Sequence, residues 1–298
     1  MNRPTLTICI PAFNEGENLA KLLESLINLN QTNCLLKQII VFSDASDDDT
    51  DLIAARFSKQ NVRLISSPVR VGQAIAQNQL ISQVKTDYLI LLNADIKITD
   101  RDFLNKSIKP FLDNPKIGLL SVLVEPLKGK THVEKIINWS HLTKTKIFQV
   151  SNKPIYLCHG RARVISKAFY SQLVFPKLIA EDAYSYLMAK KLGFDFAYTS
   201  QTKIYFRSPA NLKDHLLQSQ RFAKGKIELE KFFDPEIVKS AYRLPKLQSL
   251  LGWTRALTRQ PFLTLAFFWM SFLSLILAPL LARSIGSIWA QSQSSKKI

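Results

Sequence analysis

The stretch "YLILLNADIKI" (88–98) stays apolar through Leu92 and then breaks at Asn93, Ala94 and Asp95. A buried strand that ends on polar side chains delivers them to the edge of its sheet, so the reading of this run decides the fold. Similar runs lie on either side of it. "LTICI" (6–10), "QIIVF" (38–42), "VRLI" (62–65) and "IGLLSVLV" (117–124) read as further buried strands. Between them, "GENLAKLLESLINL", "DTDLIAARFSK", "GQAIAQNQLISQV" and "RDFLNKSIKPFL" carry apolar residues at helical spacing. Strand alternating with helix predicts an α/β fold: a Rossmann-like, mostly parallel sheet with helices on both faces.

In such a sheet ligands sit outside the carboxyl ends of the strands. The segments that follow the strands are "PAFNE" (11–15), "SDASDDDT" (43–50) and "NAD" (93–95), all bearing carboxylates or amides. Asp49 or Thr50 suits the cap of the next helix, but three such loops at one edge ask for more than capping. Beyond residue 130, "HVEKIINWSHLTKTKIFQV" (132–150), "AEDAYSYLMAKKLGF" (180–194) and "NLKDHLLQSQRFAKGKIELEKFF" (211–233) read as helices, with strands "FDFAYT" and "KIYF" between the last two.

Lys and Arg number 40 against 23 Asp and Glu, a net charge of +17 over 298 residues. Such an excess predicts an anionic partner, a phosphate-bearing ligand or an acidic membrane surface. No helix-turn-helix, zinc or RNA-binding signature accompanies it, so nucleic acid is not the expected partner. Cys9, Cys34 and Cys158 are scattered and form no Cys-x-x-Cys pair, which fits a reducing compartment. The apolar run near Met1 is too short for a signal peptide, and the expected location of the domain is the cytoplasmic side of a membrane. From 261 to 282, "PFLTLAFFWMSFLSLILAPLLA" carries no charge and has the length of a transmembrane helix. Before it, "KLQSLLGWTRALTRQ" (246–260) is basic and amphipathic, as an interfacial helix would be.

These motifs in this order resemble the family-2 glycosyltransferases, which have the GT-A fold. The likeness runs over about residues 4 to 233 and rests on "PAFNE", "SDAS", "GQAIAQN" (72–78), "NAD" and "AED" (180–182). It implies a catalytic domain over 1–235, with a donor half at about 1–125 and an acceptor half at about 126–235. An interfacial segment (236–260), the apolar helix (261–282) and a polar tail (283–298) would follow. The implied activity is inverting transfer of a sugar from a nucleoside-diphosphate sugar to a hydroxyl of a glycan or lipid-linked acceptor. The alternative is a catalytically inactive GT-A domain that recruits partners to a membrane.

Carried over residue by residue, the resemblance puts Pro11, Phe13, Glu15, Asp44, Gly72, Asn93 and Ala94 at the donor nucleotide. Asp44 would read the base, although Ser43 and Ala45 depart from the family's Asp-Asp-Gly-Ser pattern. Asp95, the last residue of the family's Asp-x-Asp motif, would hold a divalent cation (Mg or Mn). Asn93 departs from that motif but keeps a hydrogen-bonding amide. Asp182 would be the general base, with Glu181 beside it on the acceptor side. "QSQRF" (218–222) resembles the Gln-x-x-Arg-Trp motif of membrane-bound polysaccharide synthases. Gln218 and Arg221 would grip the diphosphate and Phe222 would pack at the acceptor.

Overall fold

In the computed structural model, residues 3–281 and Ser294 are described, with side chains up to Ile276 and at Ser294. The strands are β1 (Thr5–Ala12), β2 (Leu35–Asp44), β3 (Val62–Ser67), β4 (Tyr88–Leu92), β5 (Ile117–Pro126), β6 (Ala162–Ser166) and β7 (Asp195–Phe206). The helices of the sheet region are α1 (Gly16–Ile27), α2 (Thr50–Arg56), α3 (Gln73–Ile81), α4 (Phe103–Asp113), α5 (His132–Val150), α6 (Lys167–Tyr170) and α7 (Glu181–Lys191). Four more follow: α8 (Leu212–Leu229), α9 (Pro235–Tyr242), α10 (Lys246–Arg259) and α11 (Pro261–Leu281).

One seven-stranded sheet runs β3-β2-β1-β4-β6-β5-β7. All neighbours pair in parallel except β6, which is antiparallel to both β4 and β5. The predicted α/β sheet therefore forms, and the five strands read up to residue 124 are present. Two points differ. "ARVIS" forms the antiparallel strand β6, which five residues with an arginine inside and another just before did not announce. "FDFAYT" and "KIYF" are one long strand, β7, whose pairing with β5 shifts register between Val122 and Leu123.

Strands covered on both faces are apolar on both. On one face Leu6, Ile8 and Ile10 meet Leu19, Leu22 and Leu23 of α1 and Phe103 and Ile108 of α4. On the other, Cys9, Ile40 and Leu91 meet Ala76 and Leu80 of α3, Phe169 of α6 and Leu187 of α7. Helix α5 starts with a capping box: Thr131 Oγ1 accepts from Glu134 N–H at 3.1 Å, and Glu134 Oε2 accepts from Thr131 N–H at 2.8 Å.

The C-terminal helices fold back on the domain. Helix α10 crosses α5 at Gly252, where a Cβ would lie 2.3 Å from Ile147 Cγ1. Trp139 Nε1 donates to Thr264 Oγ1 at 2.9 Å, and Trp253 stacks on Phe267 at 5.3 Å. Thr264, Phe267 and Met270 are buried. Among the described residues no helix is long and apolar enough to cross a membrane. In place of the expected span 261–282, the chain forms α11, whose inner side packs on the domain; Ala282 lies outside the described residues. So does the expected polar tail, apart from Ser294, whose Oγ accepts from Ala210 N–H at 3.1 Å.

Candidate active site

The loops after β1 and β2 are sewn to each other. Asn14 N–H donates to Ser46 Oγ at 3.1 Å, Glu15 N–H to Thr50 Oγ1 at 2.9 Å and Gly16 N–H to Asp48 Oδ2 at 3.0 Å. Asp48 also accepts from Thr50 N–H at 3.0 Å, so it serves the start of α2 in place of Asp49, whose side chain makes no cap bond. The Glu15 side chain turns inward and accepts from Asn18 Nδ2 at 2.8 Å. Ala45 holds φ at 56°, a left-handed conformation that glycine adopts without cost.

Asp44 ends β2 and is 5% exposed. Its carboxylate accepts from Val71 N–H at 2.6 Å, Gly72 N–H at 3.0 Å and Arg70 Nε at 3.2 Å. Gly72, at φ 86°, turns the chain into α3, a conformation that a Cβ would strain. The Arg70 guanidinium lies 3.3 Å from the centre of the Phe13 ring, a cation–π contact that joins this loop to the one after β1. Pro11 pairs with Phe42 at the same edge.

Asn93, Ala94 and Asp95 follow β4. Asn93 Oδ1 accepts from Gln73 Nε2 at 3.1 Å, and Asn93 N–H donates to Arg161 O at 3.0 Å. The second bond extends the β4–β6 pairing and brings Arg161 to the loop that carries Asp95. The charges of Asp95 and Asp182 both stabilise the buried Arg161 guanidinium against desolvation.

Helix α7 opens on Glu181 and Asp182. Asp182 Oδ1 accepts from Ala183 N–H at 2.8 Å and Oδ2 from Gly160 N–H at 3.2 Å. A Cβ on Gly160 would sit 3.0 Å from Glu181 Oε1 and 3.5 Å from Asp182 Oδ2, so glycine makes this approach possible. Burial, and then the Asp182 charge, push the Glu181 carboxyl up to about 7 against the pull of Arg163 and Arg221. Beneath them Arg163 is fully buried. It donates to Glu181 O at 3.1 Å, Ser185 Oγ at 3.0 Å and Gln77 Oε1 at 3.0 Å, tying α3 to the start of α7.

Helix α8 closes the arrangement. Gly225 lets it touch Ala180, where a Cβ would meet the Ala180 Cβ at 2.9 Å, and Glu228 Oε2 accepts from Ile179 N–H at 2.8 Å. That seating puts Arg221, one turn earlier, among Glu181, Asp182, Arg161 and Asp95; desolvation lowers its guanidinium to about 10 while the three carboxylates oppose the fall. Gln218 lies on the same helix and is half-buried. Phe222 is 66% exposed and turns away from the buried cluster.

The structure thus gathers Asp95, Glu181, Asp182 and Arg221, and places Asp44, Gly72 and Phe13 along the same edge. Sequence reading missed Arg161 and Arg163. Their signal was present: two arginines in "GRARVIS", one of them at a position where a strand buried on both faces calls for an apolar residue.

Among the described residues no group of three His, Cys, Asp or Glu side chains forms a metal site by itself. The donor set fits a hard cation held in another way. Asp95 offers one carboxylate at this edge, the kind of hard oxygen that magnesium or manganese takes beside phosphate oxygens and water.

The family profile described as glycosyl transferase family 2 matches residues 7–174. Poly-β-1,6-N-acetyl-D-glucosamine synthase of Staphylococcus epidermidis is 31% identical over 117 residues, 39% of this chain and 27% of that protein. Dolichyl-phosphate β-glucosyltransferase ALG5A of Trichomonas vaginalis is 28% identical over 116 residues, 36% of each chain. The chain thus spans about a third or less of these relatives' length. In fold it resembles the mannosyltransferase PcManGT of Pyrobaculum calidifontis, solved with GDP-Man and Mn2+. The TM-score is 0.67 at 15% identity, covering 95% of this chain and 89% of that one.

Proposed function

The chain belongs to glycosyl transferase family 2 and is a glycosyltransferase, and from that premise we propose an inverting transfer from a nucleoside-diphosphate sugar to a hydroxyl acceptor. The observation that carries this reading is the convergence of the half-buried Asp95, Arg161, Asp182 and Arg221 and the buried Glu181 on one place. A domain that only recruits partners has no need to gather two arginines and three carboxylates in a partly desolvated cluster, because withdrawing ions from water is costly.

In this mechanism Asp182 takes the proton of the acceptor hydroxyl as that oxygen attacks the anomeric carbon. Its two backbone hydrogen bonds hold the carboxylate in place and leave lone pairs for the hydroxyl. Arg221 and Arg161 face the departing diphosphate, with guanidinium groups suited to paired hydrogen bonds with phosphate oxygens. Gln218 and Asn93 hold the donor through their amides, and Asp44 accepts from the base while keeping the 70–72 loop in place. Asp95 would hold the divalent cation, which when bound supplies positive charge against the diphosphate. Arg163 is a positioning residue that fixes α7 to α3.

Attachment to a membrane belongs to the same proposal. Leu247, Leu250 and Leu251 of α10 and Phe262, Leu265, Trp269, Phe272 and Leu275 of α11 are exposed, and Lys246, Arg255 and Arg259 accompany them. An apolar face flanked by basic residues suits an anionic bilayer surface on the cytoplasmic side.

The test is a screen of nucleotide-sugar donors for release of nucleoside diphosphate by the purified protein, beside Asp182→Asn. The variant should bind donor normally and turn over about 10²–10⁴-fold more slowly. Equal turnover by the two proteins would remove Asp182 from the mechanism, and no release with any donor would sink the reading as a whole.

A further inference from the structure

Between α8 and α9 lies a cavity of about 440 Å³ that the mechanism above does not use, lined by Lys226, Glu236, Lys239, Ser240, Tyr242 and Arg243. Its size is that of small-molecule sites, which hold about 300–1,000 Å³. Both of its walls lead to Asp182 through short contacts. On the α8 side Lys226 follows Gly225, whose backbone approaches Ala180 so closely that a Cβ would lie 2.9 Å from the Ala180 Cβ. Ala180 stands two residues before Asp182. On the α9 side Tyr156 Oη donates to Tyr242 O at 2.8 Å and its ring meets the Tyr242 ring edge-on at 5.3 Å. Two residues beyond Tyr156, Cys158 Sγ donates to Asp182 O at 3.4 Å. Burial, and then the charge of Asp182, push the Tyr242 phenol above its ordinary value. Tyr242 is thus a wall shared by the cavity and the surroundings of Asp182.

Charge is sorted along the cavity. Asp234 and Glu236 stand where α9 begins; Glu236 pairs with Lys239 at 2.9 Å, and the charges of Glu230 and Asp234 also reach Lys239. At the other end of α9 stand Tyr242 and Arg243. There Lys226 Nζ lies 5.1 Å from the centre of the Tyr242 ring, and Lys153 Nζ donates to Ser240 O at 3.2 Å. Among the described residues Lys153, Lys226 and Arg243 enter no ion pair.

This lining selects a ligand class. Cations without acid partners beside one cavity call for an anion, and a guanidinium fork matches a planar carboxylate. No aliphatic side chain lines the cavity, so nothing in it suits an alkyl chain, whereas hydroxyl, ammonium and phenol groups suit a body rich in hydroxyls. We infer that the cavity is an acceptor subsite for an acidic saccharide, with Lys226 and Arg243 holding a sugar carboxylate and Tyr242 turning the next ring toward Asp182. The carboxylate is the handle, and a hydroxyl of the neighbouring ring is the group that takes the sugar. The acceptor role rests on the glycosyltransferase reading above, but the binding needs no turnover.

Trigalacturonate, maltotriose and citrate are titrated by calorimetry into the full-length protein at physiological ionic strength, which screens exposed charge. The first carries rings and carboxylates, the second rings alone and the third carboxylates alone. Trigalacturonate should bind about tenfold or more tightly than either, and Lys226→Met with Arg243→Met should remove at least that factor, the worth of one charge-assisted bond. Lys59→Met with Lys109→Met takes the same charge from exposed positions outside the cavity and should leave the affinity unchanged. Maltotriose binding as tightly would overturn the carboxylate handle, and citrate binding as tightly would overturn the saccharide. Equal losses in the two double variants would reduce the site to bulk charge and overturn it. With a donor found by the screen above, the Lys226 and Arg243 variant should raise the saccharide KM about tenfold and leave the donor KM unchanged. Trigalacturonate that binds without receiving sugar would overturn the acceptor role. A failed donor screen with binding intact would sink the transfer reaction and leave the saccharide site standing.

Discussion

Replacing Glu181 by Gln should stabilise the protein, and only above a definite pH. The carboxyl is 8% exposed and burial beside Asp182 raises it from an ordinary 4.5 to about 7. Below pH 4.5 it is protonated in folded and unfolded chains alike and contributes no pH dependence. Between 4.5 and 7 the folded state holds a proton that the unfolded chain has released, so stability falls as pH rises. Above 7 the deficit is complete, about 3 kcal/mol at 1.36 kcal/mol per pKa unit. Glutamine keeps the shape and stays neutral throughout. The variant should therefore match the parent near pH 4.5 and exceed it at pH 8 by up to about 3 kcal/mol, a rise on the order of 5–10 °C in melting temperature. Calorimetric or circular-dichroism melts at half-unit pH intervals measure this. A constant difference across the range, or a variant less stable than the parent at pH 8, would show that Glu181 is not the desolvated acid described here.

Asp95→Asn should abolish metal-dependent transfer, whereas Asn93→Ala, losing one neutral hydrogen bond of about 1 kcal/mol, should raise the donor KM about fivefold and keep the metal requirement. Manganese and magnesium titrations of both proteins decide this; a lost requirement in Asn93→Ala would move the ligand from Asp95 to Asn93. Arg163→Met strips donors from Glu181 O, Ser185 Oγ and Gln77 Oε1, and should cost on the order of 2–4 kcal/mol in urea unfolding, with Arg163→Lys recovering part. Asp44→Asn should loosen the 70–72 loop and weaken nucleoside-diphosphate binding about tenfold by calorimetry, since charge-assisted bonds are worth about 1.5–3 kcal/mol each.

Much of the donor side was legible because its strands are long apolar runs and its site residues follow them directly in the chain. "YLILLNAD" announces both a strand and the loop that matters. What stayed hidden depends on pairing across distance. Strand β6 is short, and Arg163 within it looks polar, yet the carbonyl of Glu181 and the side chains of Ser185 and Gln77 satisfy it. Asp48 outdid Asp49 and Thr50 as a cap through a bond to Gly16 in another loop, which no local pattern contains. The uncharged run 261–282 reads as a span because periodicity cannot show that Thr264, Phe267 and Met270 have a protein partner.

The position of β6 has a consequence for how this enzyme can be cut and recombined. The resemblance divides the chain near residue 126 into a donor and an acceptor half, yet β6, which follows that point, lies between β4 and β5, which precede it. A nascent chain that has delivered only residues 1–125 carries Asp95 just beyond β4, a strand whose neighbour β6 has not been synthesised, leaving an apolar edge open to strands from other chains. A chimaera joined at 126 would seat a foreign strand against β4 and replace the carbonyl of Arg161 that holds Asn93. A graft of α7 through α8, residues 181–229, keeps β6 native and carries Asp182 and Arg221, but it brings β7, which must keep its register with β5, and the Glu181 and Ser185 partners of Arg163.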